Sequence, residues 1–190
     1  MDDIVFGSTI DHLAHEFSEE MKREFEMSMV EKLNYFLGLQ VKQREDGIFI
    51  SQEKYAKNLV KRFGLDSKKH TSTPMSSSAR LSRDAAGVEV DLTLYRSMIV
   101  SLLYLITSRP DIAFSVGVCT RFQAAPKESQ LTAIKRIIRY INGTSDYGIW
   151  YSRYLNECVV GYSDVDWVEC IDDRKSTSGG CFYLGNNLMS

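Results

Sequence analysis

The sequence predicts an α+β fold in which a helix-rich body with one β-hairpin is followed by short strands. Apolar residues recur at helical spacing in several segments between residues 10 and 142. Alternating apolar and polar residues at 35–51 predict the hairpin, and from Tyr147 the apolar runs shorten to strand length. The 190 residues, of which 44% are hydrophobic and 25% charged, are typical of a globular chain with a buried core. This composition excludes disordered and collagen-like classes.

The first elements in chain order are a helix, the hairpin and a second helix. Apolar side chains four residues apart predict an amphipathic helix over residues 10–26. The hairpin over residues 35–51 is expected to turn at Asp46-Gly47, because this dipeptide suits a tight turn. The helix that follows is expected to end at Gly64, since glycine readily adopts the left-handed conformation that terminates helices.

The middle of the chain begins with a change of character. Residues 66–90 are rich in Ser and Thr, which predicts a loop or linker. The helical pattern resumes at residues 94–107. Asp111 is expected to cap the next helix, and Pro126 suits the first position of a last helix that Gly143 closes. Three strands are then predicted, at residues 148–151, 158–163 and 181–184.

The charges are unevenly distributed, which indicates a basic middle between acidic ends. Residues 51–150 carry 15 Lys and Arg residues against 8 Asp and Glu residues. Such asymmetry is typical either of a polyanion-binding segment or of solvated helix faces. Four aromatic residues, Tyr104, Tyr140, Trp150 and Trp167, could stack on bases or belong to the core. The basic residues opposite the apolar helix faces are Lys54, Lys57, Lys61 and Arg62 in one helix and Lys135, Arg136 and Arg139 in another.

Cysteine usage and apolar runs bear on compartment and cofactors. None of the four cysteines forms a C-x-x-C pair, so we expect reduced, mostly buried thiols in an intracellular, non-secreted protein. The acidic start has no signal-peptide pattern. The longest apolar stretch, residues 94–106, is too short to span a bilayer, and no membrane association is expected. No small-molecule cofactor is predicted.

Three polar motifs are candidates for chemistry. Asp2-Asp3 precedes an apolar run, and Asp164 lies at the end of another, two residues before Asp166. Carboxylate oxygens suit Mg²⁺, and two metal ions can stabilise an in-line phosphoryl transfer. Solvated charges and turn chemistry are the simpler alternatives. The segment 172–180 is either a hairpin loop or a phosphate-contacting loop that uses Arg174 and Lys175.

Taken together, these segments resemble the Pol polyprotein of copia-type LTR retrotransposons. Met1-Asp2-Asp3 resembles the Tyr-x-Asp-Asp turn of reverse transcriptases, with Met1 at the variable position. The other matching stretches follow in family order along essentially the whole chain: 25–29, 33–40, 47–55, 72–75, 95–105, 108–116, 133–140, 161–167 and 173–179.

The resemblance implies an order of parts. Residues 1–65 would be the end of the polymerase palm and its hairpin, and residues 66–145 a helical region like the thumb and connection, with the linker at 66–90. Residues 147–190 would begin a ribonuclease H-like domain. Asp2 and Asp3 match the metal-binding pair of the polymerase, and Asp164 matches the first metal-binding Asp of ribonuclease H. The family enzyme uses Mg²⁺ or Mn²⁺ and an RNA/DNA template–primer.

Departures from the family pattern shape the functional expectation. The third polymerase carboxylate, the Tyr of the turn and the later ribonuclease H carboxylates have no counterpart in these residues, and Val168-Glu169 replaces two small residues. We therefore expect a fragment of an RNA-directed DNA polymerase and ribonuclease H that is inactive as an isolated chain. The alternative is a non-catalytic nucleic-acid-binding remnant that uses residues 51–150.

Overall fold

The computed structural model contains helices and antiparallel strands, in agreement with the predicted α+β class. The chain divides into two units, Met1–Leu33 and Asn34–Ser190. The residues that the structure describes are 4–29, 32–76, 81–154, 158–166 and 177–189.

The first unit contains helix α1, Asp11–Glu24, which is slightly shorter than the predicted helix. The Phe6 ring packs against Phe17, with 4.8 Å between the ring centroids. Met29 lies after the helix, and its sulfur accepts a hydrogen bond from the Ser18 hydroxyl at 3.0 Å. These contacts hold the segments before and after α1 against the helix.

The second unit has a helical body with one continuous apolar core. Its helices are α2 (Glu53–Arg62), α3 (Leu92–Ile106), α4 (Ala113–Thr120) and α5 (Glu128–Gly143), with a 3-10 turn (Pro110–Ile112) before α4. Among the described residues, no helix is long and apolar enough to cross a membrane. The core side chains of α5 are Leu131, Ile134, Ile137, Ile138 and Ile141, and those of α3 include Tyr95, Met98, Ile99, Leu102 and Leu105.

Helix starts differ from the sequence predictions where side chains compete for backbone groups. Helix α3 begins at Leu92, because the Asp91 carboxylate accepts the backbone N–H groups of the first turn. Asp111 does not cap a helix as predicted; it lies within the 3-10 turn and its carboxylate binds an arginine. The prediction for Pro126 is also wrong, because α5 begins two residues later at Glu128.

The predicted linker at residues 66–90 lies along α5 instead of hanging free. Its described parts are 66–76 and 81–90. Several hydrogen bonds to residues of this helix give the loop a defined path over it. Three of them come from helix side chains: Asn142 Nδ2 donates to the carbonyl of Asp66, Arg136 Nη2 to the hydroxyl of Thr73, and Gln130 Nε2 to the carbonyl of Ser82.

The first sheet is antiparallel, with the order β1-β2-β3-β4. The hairpin β2–β3 turns through Glu45 and Asp46 rather than through Asp46-Gly47, and Gly47 is the first residue of β3. A second tight turn at Leu37-Gly38, with φ angles of 47° and 84°, joins β1 to β2. The strands are β1 (Tyr35–Phe36), β2 (Leu39–Arg44), β3 (Gly47–Ser51) and β4 (Gly148–Ser152).

Strand β4 was predicted as the first strand of the C-terminal part, but it pairs with β3 along its whole length. The second sheet therefore begins only at β5 (Val159–Asp166) and continues with β6 (Thr177–Leu184) and β7 (Asn187–Leu188). The Asn187 amide both accepts from and donates to the backbone of Ser152, at 2.7 and 3.0 Å. This pair of hydrogen bonds joins the second sheet to the end of β4.

A buried arginine connects the turn after α3 to the end of α5. The side chain of Arg109 is 2% exposed and forms a two-pronged ion pair with Asp111, with N–O distances of 2.9 and 2.8 Å. The same guanidinium donates to the carbonyl and hydroxyl of Thr144, both at 2.8 Å. Burial by itself raises the pKa of Asp111, but hydrogen bonds and charge from Arg109, with a hydrogen bond from Tyr140, lower it overall.

We predict that Arg109→Met destabilises the protein by about 2–3 kcal/mol in urea unfolding. The substitution leaves the Thr144 carbonyl and the Asp111 carboxylate without their charged donor, and the partial exposure of Asp111 keeps the loss below that of a fully buried pair. Arg96→Met on the exposed side of α3 is the control, with an expected loss of less than about 0.5 kcal/mol. Equal losses in the two variants would contradict this role of Arg109.

Candidate nucleic-acid interface

Helix α2 presents a basic face because its apolar residues are all used in the core. Ala56, Leu59 and Val60 are buried, whereas Lys54 and Lys61 are exposed on the opposite side. The start of the helix is fixed by β2, since the side-chain oxygen of Gln40 accepts the Lys54 backbone N–H at 2.9 Å. The hairpin and the core together therefore orient this face.

The basic residues of α2 differ in how far they are neutralised. Lys57 contacts the carboxylate of Glu53 one turn earlier, and this hydrogen bond and charge lower the pKa of Glu53. Within the described part of the chain, Lys54 and Lys61 have no carboxylate partner. Lys54 and Lys61 are therefore the lysines of this face whose charge is available to a polyanion.

Arg62 ends the basic face at an open groove between α2 and α3. Its guanidinium lies 5.3 Å from the centroid of the Phe63 ring. Across the groove stands Arg96, whose Nε donates to the carbonyl of Gln123 at 3.2 Å. The groove has a volume of about 470 Å³ and is lined by Arg62, Leu92, Thr93, Arg96, Ser97, Val100 and Ser101.

Arg96, Thr93 and Ser97 were not among the predicted binding residues. Arg96 and Ser97 lie in the longest apolar run of the sequence, residues 94–106, which predicted a buried helix as a whole, and Thr93 directly precedes it. The signal that was available is the charge itself, because a lone arginine in an apolar helix marks the side that faces solvent. In the structure Arg96 is exposed, one turn from the buried Met98 and Ile99.

The basic residues predicted on α5 do not form one exposed face. Lys135 is exposed, but Arg136 and Arg139 are partly buried. Arg136 holds the loop through Thr73 Oγ1 at 3.0 Å, and its backbone carbonyl accepts from Thr71. The buried Nε atoms of both arginines have no hydrogen-bond partner among the described residues. Arg136 therefore serves the packing of the loop on α5.

The four aromatic candidates separate clearly. The Tyr104 hydroxyl donates to the carbonyl of Leu37, and the Tyr140 hydroxyl donates to Asp111, so both are engaged in the fold. Trp150 is 36% exposed on β4. Trp167 lies outside the described residues. Tyr104 is 44% exposed, so Trp150 and Tyr104 are the described candidates whose rings reach solvent.

The predicted carboxylate sites fall mostly outside the described residues. Asp2 and Asp3 lie there, as do Arg174 and Lys175. Asp164 belongs to β5, where its backbone is opposite Gly179 of β6. Among the described residues, no group of three or more His, Cys, Asp or Glu side chains could hold a metal ion. The Mg²⁺ or Mn²⁺ sites at Asp2, Asp3 and Asp164 therefore stay predictions.

Comparison with known proteins shows similarity to reverse transcriptases and to retrotransposon Pol polyproteins. The sequence profile of the reverse transcriptase (RNA-dependent DNA polymerase) family matches residues 1–77. The retrovirus-related Pol polyprotein from transposon RE1 of Arabidopsis thaliana is 35% identical over all 190 residues of this chain. An uncharacterized mitochondrial protein of the same plant is 31% identical over the whole chain, which covers 79% of that protein.

The chain is a homologue of retrotransposon Pol polyproteins. It is homologous to the reverse-transcriptase region of copia-type Pol polyproteins. The Pol polyprotein from transposon RE2 of Arabidopsis thaliana is 32% identical over all 190 residues of this chain. The chain spans 13% of the length of the RE1 and RE2 polyproteins. No solved structure matches this chain with statistical significance.

We predict that Arg136→Ala increases proteolytic cleavage in residues 66–76, because it removes the guanidinium that holds Thr73. Limited proteolysis with a protease that does not cleave after Lys or Arg measures this, and mass spectrometry identifies the cleavage sites. Lys135→Ala changes the neighbouring exposed charge of the same helix and is expected to leave the cleavage rate unchanged. Equal cleavage of the two variants would show that Arg136 does not anchor the loop.

Proposed function

We propose that this chain is the nucleic-acid-holding part of a retrotransposon reverse transcriptase and ribonuclease H. The observation that carries the proposal is the basic face of α2, with Lys54, Lys61 and Arg62 exposed on a helix whose other side is buried in the core. The match of all 190 residues of this chain to 13% of the RE1 and RE2 Pol polyproteins supports a nucleic acid as the polyanion.

The lysines and arginines of this surface suit phosphate groups in two different ways. Lysine ammonium groups act as point charges that follow a phosphate row without selecting a sequence. Arginine forks such as those of Arg62 and Arg96 fit phosphate oxygens in a bidentate manner. Thr93 and Ser97 add hydroxyl groups along the same groove. Contacts of these kinds position a duplex and leave its sequence unread.

The division of the chain into polymerase and ribonuclease H parts is included in the proposal. Residues 1–65 are assigned to the end of the palm with its hairpin, and residues 66–145 to the thumb and connection. The pairing of β4 with β3 favours a start of the ribonuclease H-like part at β5 rather than at residue 147. The separate antiparallel sheet β5-β6-β7 supports this assignment.

Nucleic-acid binding is tested by the salt dependence of hybrid-duplex affinity. We expect the triple variant Lys54→Gln, Lys61→Gln, Arg62→Gln to lower the slope of log affinity against log salt by about 2–3, since each lost phosphate contact removes about 0.9. The control Lys22→Gln, Arg23→Gln, Lys32→Gln makes the same change of net charge in the first unit. Equal slopes in the two triple variants would contradict an interface on α2.

The proposal includes Asp2, Asp3 and Asp164 as metal-binding carboxylates of the parent enzyme. A protein of these 190 residues alone is expected to bind nucleic acid without turnover, because in-line phosphoryl transfer with two metal ions needs further carboxylates around each ion. Metal-dependent primer extension and RNA–DNA hybrid cleavage by the purified chain test this. Turnover above that of the Asp3→Asn, Asp164→Asn double variant would overturn the expected inactivity and exclude the non-catalytic alternative.

A further inference from the structure

The loop that lies along α5 contains the one dipeptide of this sequence in which a proline follows a hydroxyl residue. Of the three prolines, Pro74 follows Thr73, whereas the other two follow Arg109 and Ala125. Thr73 is exposed. A residue before proline is confined to extended backbone, and an extended Ser or Thr followed by proline is the substrate pattern of proline-directed protein kinases. Thr73 therefore combines the sequence pattern and the exposure of a phosphorylation site.

The hydroxyl of Thr73 already lies against a guanidinium. Its Oγ1 accepts a hydrogen bond from Nη2 of Arg136 at 3.0 Å, and among the described residues it donates to no other group. The buried Nε of Arg136 has no hydrogen-bond partner in the described part of the chain, and the same holds for Arg139 one turn further along α5. Arginine forks fit phosphate oxygens and bind them more strongly than they bind a neutral hydroxyl. A phosphate on Thr73 would thus find a charged donor in place.

The charges along this part of the loop and the helix beneath it favour an anion. Residues 67–76 contain Lys68 and Lys69 and no Asp or Glu, and both lysines are exposed. The middle of α5 adds the exposed Lys135 beside Arg136. A phosphothreonine carries about −1.5 to −2 charges at pH 7, and opposite an arginine it forms new charge-assisted hydrogen bonds that order a loop. A phosphate at this position would therefore strengthen the attachment of the loop to α5.

We propose that Thr73 is a phosphorylation site for a proline-directed protein kinase and that Arg136 holds the phosphate, which clamps the loop onto α5. In the transfer, Thr73 Oγ1 forms a bond to the γ-phosphorus of ATP while the bond from this phosphorus to the bridging β–γ oxygen breaks. ADP leaves, and the hydroxyl proton passes to the catalytic base of the kinase. The modification does not depend on nucleic-acid binding, so its failure would leave the proposed function intact.

Incubation of the folded chain with a recombinant mitogen-activated protein kinase and Mg-ATP tests the site itself. Mass spectrometry should locate the phosphate on Thr73, and Thr73→Val should abolish its incorporation. Ser72→Ala is the matched control, because Ser72 is the adjacent exposed hydroxyl residue and no proline follows it. This variant should be phosphorylated at the same rate as the unsubstituted chain. Absence of phosphate on Thr73, or equal incorporation at Ser72, would overturn the proposal.

The role of Arg136 is tested on the phosphorylated chain. Phosphorylation should slow cleavage within residues 66–76 by about 2- to 5-fold, the range of an exposed ion pair, when the protease does not cleave after Lys or Arg. Arg136→Ala should remove this protection, and Lys135→Ala should retain it.

Phosphorus NMR gives a second readout that needs no variant. The guanidinium should move the titration of the phosphate to lower pH in the folded chain than in the same chain unfolded in urea. Arg136→Lys keeps the charge but not the fork, so it should restore part of this shift and little of the protection. Equal protection in the Arg136→Ala and Lys135→Ala variants, or identical titrations in the folded and unfolded chain, would overturn the assignment of Arg136 as the phosphate-binding residue.

Discussion

The buried guanidinium of Arg109 is the constraint on which the arrangement of the second unit depends. A charge that is removed from water has to be paired and hydrogen-bonded, and here the partners come from two separate parts of the chain, Asp111 in the turn after α3 and Thr144 at the end of α5. The rings of Tyr140 and Tyr147 lie 5.5 and 5.3 Å from the guanidinium carbon. Because β4 begins directly after Tyr147, this cluster also fixes where the last strand of the first sheet starts.

Helix α5 contributes both to the core and to the attachment of the loop of residues 66–90. Its isoleucine side forms the centre of the core, and its polar side chains hold the loop of residues 66–90. Arg136 is therefore occupied with the loop, even though its spacing from Lys135 and Arg139 suggested a row of phosphate contacts. The same residue type on α2 remains open, because no loop covers that helix face among the described residues. An arginine on a helix is therefore open to a ligand only where no other segment of the chain packs over it.

Periodicity identified the helices because their apolar stripes are local, and those of α2, α3, α4 and α5 are buried in one core. It also identified β4 as a strand, but not its partner, since β3 and β4 are separated by most of the helical body and local pattern carries no information on such pairings. Arg96 was missed because an average over an apolar run hides one solvent-facing position. The exposure of the basic side chains of α2 was predicted correctly, whereas the position of Trp150 beside Phe49 depends on that non-local pairing of strands.

Strand β3 and the basic face of α2 have a fixed relation because the junction between them is buried. Ser51 and Gln52, which join β3 to α2, are 1% and 2% exposed. The Gln52 side chain donates to the carbonyl of Tyr104 and accepts from the hydroxyl of Ser108, so the junction is tied to the end of α3. Buried polar groups that are fully hydrogen-bonded allow little freedom at such a joint. The position of the exposed Lys54 and Lys61 relative to the hairpin is therefore fixed by the core and does not depend on a flexible linker.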